Sequence, residues 1–293
     1  MEKRDPGLEA RLKEAFKGCC SPLRSRSFAT AKQGFGGAIH AFASCDSTME
    51  RAHALAREGA GEGTLVFASR QTQGRGRLGR KWESPEGGAY FSLILRPSRP
   101  LSETPQLSLV AGLAAAEAIH EQLTSRLSDS SAARQPVSIR WPNDLLLDGK
   151  KVAGILTEAS THHSSLITHH YVVVGIGINV TTDPRDLPDT ATSLAEKVPG
   201  TFEKSAWHLF PLVAALCSNF DSWYDIWTAK GFAPIRQALH PWMSHMGGLV
   251  RLTTGVSHME GQAMDVDEHG RLLVRLDSGI VRAFEAGEVT PLH

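Results

Sequence analysis

Residues 140–158 read RWPNDLLLDGKKVAGILTE, and the order of breakers and β-formers in this stretch decides the architecture. Val137 to Trp141 (VSIRW) has strand character, and Pro142 ends it because proline lacks the backbone donor that a ladder needs. Asn143 and Asp144 make a turn that can present side-chain oxygens. A tight connection at Asp148-Gly149 then leads into a second β-rich run, KVAGILTEAS (151–160), which carries Lys151. A lysine on a strand that faces a pocket supplies fixed positive charge where a transition state gathers negative charge. A plain surface lysine and a purely structural WPND turn are the competing readings. Lys150 stands beside Lys151, so a slip of one residue would exchange the inward and outward faces.

Downstream, YVVVGIGINV (171–180) is a third β-run, paired with 151–160 as a hairpin whose tip is THHSSLITHH. Its GxGxN ending resembles a nucleotide fingerprint but lacks the third glycine and the following helix, so a Rossmann unit is not expected. Glycines that admit a flat ligand, with Asn179 at the mouth of the strand, suit it better. His162, His163, His169 and His170 fall at the tip, where solvated histidines are the expectation rather than a metal site.

Upstream, LVFASRQ (65–71) and AYFSLILRP (89–97) are strands that bracket GRGRLGRKW (74–82). In an extended segment residues two apart share a face, which aligns Arg75 with Arg77, and Gly74 and Gly76 remove bulk between them. Guanidinium forks suit phosphate oxygens. The expectation is a pliable loop that folds over a phosphate-bearing ligand; a solvated loop and a single-stranded nucleic-acid contact stay open at this point. No Walker A pattern is present. Asp46-Ser47-Thr48 reads as the cap of a helix over MERAHALAREGA. Residues 104–125 read as an amphipathic, alanine-rich helix. The aromatic stripe over 203–229, from Trp207 to Trp227, reads as core on a helix that begins or kinks near Pro211. Beyond residue 246 the texture becomes short alternating strands between Gly, Asp and His turns, as in a small antiparallel barrel.

The 293 residues suit about two domains. With 31 basic and 31 acidic residues, no global attraction to nucleic acid or anionic membrane is expected. Cys19, Cys20, Cys45 and Cys217 have no CxxC spacing, which argues against a zinc site or disulfide framework. No apolar run reaches the roughly 20 residues needed to cross a bilayer, and the N-terminus has no apolar signal core, so a soluble, cytoplasmic protein is expected.

Taken in order, GRGRLGRKW, RWPNDLLLDGKKVAGILTE, GIGINV and ATSL (Ala191 to Leu194) resemble the bacterial-type biotin–protein ligases over about residues 40–290. The resemblance implies an α+β fold: a mixed β-sheet with helices, the biotin/lipoate ligase-like catalytic domain, over 41–246. An SH3-like β-barrel would follow over 247–293, and 1–40 would be an N-terminal extension. It implies an AMP-forming reaction in which biotin and ATP give biotinyl-5′-AMP, and biotin then passes to one lysine of a biotin carboxyl carrier protein domain. Mg²⁺ would accompany ATP, with no metal ligand assigned to the protein.

The catalytic residues implied are Lys151, Arg75, Arg77 and Asp144. Lys151 is preferred over Lys150 because AGIL follows it in the family's frame. The biotin site would comprise Ser47, Thr48, Met49, Gln71, Arg75, Gly76, Arg77, Trp82, Lys151, Gly154 and Gly177. The ATP site would comprise Arg75, Arg77, Arg80, Trp82, Asn143, Lys151 and Asn179. Asn143 and Asp144 would meet the acceptor lysine. Many relatives carry Asn where this chain has Met49. Some place an arginine after the last barrel strand, where this chain ends TPLH, and the adenine wall has no assigned residue. Only about 40 residues precede the Asp46-Ser47-Thr48 motif, so an enzyme without a DNA-binding repressor function is expected, and no membrane partner; a homodimer stays open. A lipoate ligase or octanoyltransferase is the nearest enzyme alternative, and a nucleic-acid-binding regulator the alternative of another class.

Overall fold

The computed structural model describes residues 3–18, 34–125, 136–163, 168–197 and 209–292; of residues 161–163 and 168–169 only the backbone is described. Its centre is a seven-stranded sheet built from β1 (Ile39–Phe42), β2 (Leu65–Ala68), β3 (Gly88–Leu95), β4 (Val137–Arg140), β5 (Asp144–Leu147), β6 (Lys150–His163) and β7 (Thr168–Asn179), in the order β1-β2-β3-β7-β6-β5-β4. Only β1 and β2 pair in parallel; every other neighbouring pair is antiparallel. The hairpin expected from 151–180 is present, and its strands run on into the histidine segment that was expected to be the tip. The side chains of His162, His163 and His169 lie outside the described residues, and His170 is exposed.

Alternation along β3 shows how the layers form. Phe91, Leu93 and Leu95 belong to the large core under α3 (Gln106–Thr124) and α4 (Leu209–Lys230), whereas Ile94 points into a smaller core under α2 (Thr48–Arg57). A strand covered on both faces is apolar throughout, and GAYFSLIL is buried at every position. α3 falls where the alanine-rich helix was expected, but its middle is not amphipathic: Leu109 through Ala116 are all buried, because the helix lies between the sheet and α4 while its first turn meets the C-terminal region. α4 begins at Leu209, so Pro211 falls in the first turn, where its missing donor costs nothing. Trp207 lies outside the described residues. α1 (Pro6–Gly18) packs on α4 through the fully buried Leu12, which makes this part of the extension a piece of the body.

The C-terminal strands β8 (Leu249–Thr254), β9 (Ser257–Val266), β10 (Leu272–Leu276), β11 (Val281–Phe284) and β12 (Glu288–Pro291) form an antiparallel sheet ordered β11-β10-β9-β8-β12. The expected barrel is therefore open: among the described residues β11 and β12 do not pair. Its apolar residues, Val250, Leu252, Val274 and Val289 among them, join the same core as the large sheet. Trp141 Nε1 donates to the carbonyl of Gly270 at 3.0 Å, tying the end of β4 to the β9–β10 turn. No described helix is long and apolar enough to cross a membrane.

Candidate active site

α2 covers only part of its face of the sheet, contacting β2, β3 and β7. The remainder of that face is a cleft of about 410 Å³, roofed by the 74–82 loop and closed on one side by Gly287 to Thr290 of the C-terminal sheet.

At one end the polar groups are neutral and already paired. Gln71 Oε1 accepts from the Thr48 amide at 2.8 Å and from Thr48 Oγ1 at 3.1 Å, and Gln71 Nε2 donates to Ser84 Oγ at 2.9 Å. Ser92 Oγ donates to Thr48 Oγ1 at 2.9 Å. Ser47 occupies the N-cap position of α2 with an extended φ of −155°, yet its hydroxyl does not cap, contrary to the expectation for this motif. Ser47 Oγ is buried without a hydrogen-bond partner, and the first helical amide, that of Thr48, donates to Gln71. An orphaned buried hydroxyl beside a cleft is a feature a polar ligand would resolve.

The floor is glycine for a physical reason. A Cβ on Gly177 would sit 2.5 Å from Trp82 Nε1, and one on Gly154 would sit 2.9 Å from the indole carbon Cζ3. A Cβ on Gly175 would meet Met49 Sδ at 2.4 Å. The flat group lying on these glycines is thus the chain's own Trp82, whose Nε1 is buried and unpartnered. Met49 packs its thioether there and offers no polar side chain.

At the other end charges converge. Lys151 Nζ lies 2.6 Å from Asp144 Oδ1 and 5.2 Å from the Trp82 ring centroid, and Arg140 Nη2 lies 2.7 Å from Asp144 Oδ2. Arg77 Nη1 donates to Asn143 Oδ1 at 2.9 Å, and Asn143 Nδ2 donates to the Ile155 carbonyl at 2.8 Å. Burial pushes the Arg77 guanidinium below its ordinary pKa, a cost that a bound anion would offset. Arg80 pairs with Glu288 of β12. Leu78, in the same loop, has φ 56° and is 76% exposed while lining the cleft.

The orientation of Lys151 comes from a β-bulge. Leu145 pairs with Ala153 and Leu146 with Lys151, which leaves Val152 as an extra residue. The bulge breaks the strict alternation and lets Lys151 share a face with Gly154, while Lys150 is exposed. Two backbone bonds hold it there: the Lys151 amide donates to Thr190 O at 2.9 Å, and the Thr192 amide donates to Lys151 O at 3.0 Å.

Thr48, Met49, Gln71, Arg75, Gly76, Arg77, Arg80, Trp82, Asn143, Asp144, Lys151, Gly154 and Gly177 all line this cleft, as expected of one site. Ser47 and Asn179 do not line it. Asn179 is buried, with Nδ2 donating to the Thr192 carbonyl at 3.1 Å, so it sits behind the strap that holds Lys151 rather than at a mouth. Arg140 and the wall from Gly287 to Thr290 were not expected. Arg140 was hidden because Asp144 was read as part of a turn and no strand was expected over 144–147 to set the two side by side. The wall comes from a strand more than a hundred residues away in the chain. Among the described residues no three His, Cys, Asp or Glu side chains are grouped so as to hold a metal ion.

Residues 41–179 match the model of the biotin/lipoate A/B protein ligase family, and residues 247–290 match that of the biotin protein ligase C-terminal domain. The bifunctional ligase/repressor BirA of Bacillus subtilis is 37% identical over 245 residues, covering 82% of this chain and 70% of that protein. The chain belongs to the biotin protein ligase family. A second family member, the biotin–[acetyl-CoA-carboxylase] ligase of Paracoccus denitrificans, is 34% identical, covering 80% of this chain and 92% of that one. In space, the biotin protein ligase of Aquifex aeolicus in complex with biotin and ATP superimposes with a TM-score of 0.67 at 30% identity, over 87% of this chain and 98% of that one. A Leishmania major biotin protein ligase in complex with biotinyl-5-AMP gives 0.55 at 27% identity, over 85% and 99%.

Proposed function

We propose that this family member is an ATP-dependent biotin–protein ligase, with 41–246 as the catalytic domain and 247–293 as the C-terminal domain that completes its cleft. The observation that carries the reading is one cleft with a neutral hydrogen-bonding end at Thr48 and Gln71 and a cationic end at Arg77 and Lys151. Biotin has that polarity: a neutral ureido group at one end and a carboxylate at the other. Ser47, Thr48 and Gln71 would serve the ureido group. Trp82, lifted from the glycine floor, would cover the ring and tail.

A carboxylate is a poor electrophile. One of its oxygens attacks the α-phosphorus of ATP, and pyrophosphate leaves with the bonding pair, producing the mixed anhydride biotinyl-5′-AMP. Lys151 and Arg77 neutralise the charge that builds on the acid and the α-phosphate. Any Mg²⁺ would enter held by the phosphates of ATP, since the carboxylate at this end, Asp144, is already engaged by Lys151 and Arg140.

When the ligand's acid group takes Lys151, Asp144 Oδ1 is released. It then faces the place where an acceptor ammonium would arrive and can orient it and accept its proton. The amine attacks the activated carbonyl and AMP departs. The acceptor would be a lysine on a biotin carboxyl carrier protein domain, and the use of ATP suits a cytoplasmic location.

Intact-mass analysis of a carrier domain incubated with the protein, biotin and ATP tests this. The expected result is one biotinyl adduct that requires all components. Pyrophosphate exchange that required lipoate and ignored biotin would overturn the reading in favour of a lipoate ligase.

A further inference from the structure

Arg75 differs from the other loop cations in where its guanidinium goes. The loop it belongs to is a small hairpin closed at its root: the Trp82 amide donates to Gly74 O at 3.0 Å, Arg75 and Lys81 form an antiparallel bridge, and the Gly76 amide donates to Arg80 O at 2.7 Å. From this root the Arg75 guanidinium turns onto two carboxylates. Nη1 meets Glu50 of α2, and Nη2 meets Glu158 Oε1 of β6 at 2.6 Å. The other oxygen of Glu158 lies 2.9 Å from His53 Nε2, and His53 Nδ1 lies 3.3 Å from the Tyr171 hydroxyl. His53 and Tyr171 are buried, so the chain of contacts ends in packed structure. The hydrogen bond with His53 and the nearby Arg75 hold the Glu158 carboxyl below its ordinary pKa range.

Two carboxylates already compensate this one cation. Arg75 therefore offers a phosphate no net attraction unless both pairs are first broken. Arg77 and Lys151, by contrast, each face a single neutral or anionic partner inside the cleft.

We propose that Glu158, aided by Glu50, is a positioning residue that pins Arg75 and so fixes the root of the 74–82 loop before any ligand arrives, leaving Arg77 and Lys151 as the cations that meet the acid and the phosphate. Only the tip of the loop then remains to be ordered on binding, which lowers the conformational cost. The kinetic half of the test below rests on the proposed ligase reading; the pin itself does not.

The experiment compares the wild-type chain with Glu158→Gln, Glu50→Gln, Arg75→Gln and the Arg75→Gln/Glu158→Gln double variant. Melting temperatures verify folding. Trypsin cleavage between residues 74 and 82 is followed without ligand in the wild-type and Glu158→Gln chains, and biotin-dependent pyrophosphate exchange is measured in all. Because the pairs are partly exposed, the expected effects are moderate: Glu158→Gln speeds loop cleavage about fivefold and raises KM for biotin about fivefold, with kcat changed less than about twofold. Glu50→Gln shifts KM in the same direction by less. Arg75→Gln adds nothing to Glu158→Gln in the double variant.

Unchanged cleavage and KM in Glu158→Gln would overturn the pin. So would a loss of kcat of about a hundredfold in Arg75→Gln regardless of the residue at 158, since that would make Arg75 a phosphate ligand. A wild-type chain without any exchange would sink the ligase reading while leaving the cleavage comparison to decide the pin.

Discussion

The two ends of the cleft are prepared in opposite ways. At the Thr48–Gln71 end, neutral donors and acceptors are joined by short hydrogen bonds on the first turn of a helix and the neighbouring strand. At the Lys151–Arg77 end, charges are held in ion pairs and amide contacts, partly on a loop. The neutral end can stay as it is and add a ligand's groups to a network whose shape is set. The charged end must trade partners, giving up Asp144 and Asn143 for the ligand's anions. Recognition of a neutral ring rewards rigidity, whereas chemistry on an acid group needs cations that are near at hand but releasable.

Removing the amine is the hardest blow to this contrast. Lys151→Ala is expected to cut pyrophosphate exchange by about 10²–10³, the cost of losing one preorganised charge-stabilising group, while melting temperature changes little because the residue is partly exposed. Equal losses of activity and stability would mean the charged end is a structural ion pair.

A second test probes what lies behind that end. His245 is buried close to Arg140, its Nε2 has no hydrogen-bond partner, and burial pushes its pKa down to about 4. The unfolded chain takes up a proton near pH 6.5 that the folded chain refuses until about pH 4. Stability is therefore fully retained above about pH 6.5 and falls by about 1.4 kcal/mol per pH unit between those values. Denaturant titrations from pH 7 to 4 measure the slope, and His245→Gln should remove this share of it.

The smallest expected effect belongs to the neutral end. Thr48→Val keeps the shape but deletes one hydroxyl from the network, leaving Ser92 Oγ and Gln71 to find other partners. A loss of about 1 kcal/mol in stability and a rise of about fivefold in KM for biotin are expected, with kcat nearly unchanged. A large fall in kcat would erase the division of labour between the two ends.

Much of this was legible because it is local. Proline after VSIRW, the Asp148-Gly149 turn and alternation in the β-runs each act within a few residues, so they announced the strands and the order of motifs. Three features depend on how strands and sheets come together rather than on residue type. The bulge at Val152 depends on how β5 pairs with β6, and no residue in KKVAG signals it. Arg140 meets Asp144 only because β4 and β5 fold back at Trp141-Pro142. The wall at Gly287–Thr290 exists because the C-terminal sheet shares a core with the large one. The cap motif misled as well: the Ser47 hydroxyl caps nothing, while Gln71, distant in the chain, accepts from the first helical amide.

The extra residue at Val152 makes the aim of the amine a matter of arithmetic rather than of side-chain identity. Both neighbouring lysines carry the same chemistry, and the count of residues before Gly154 chooses between them. Pairing the same residues in strict alternation would leave composition and charge pattern untouched, yet it would set Lys150 and Val152 on the face of Gly154 and turn Lys151 away from the cleft.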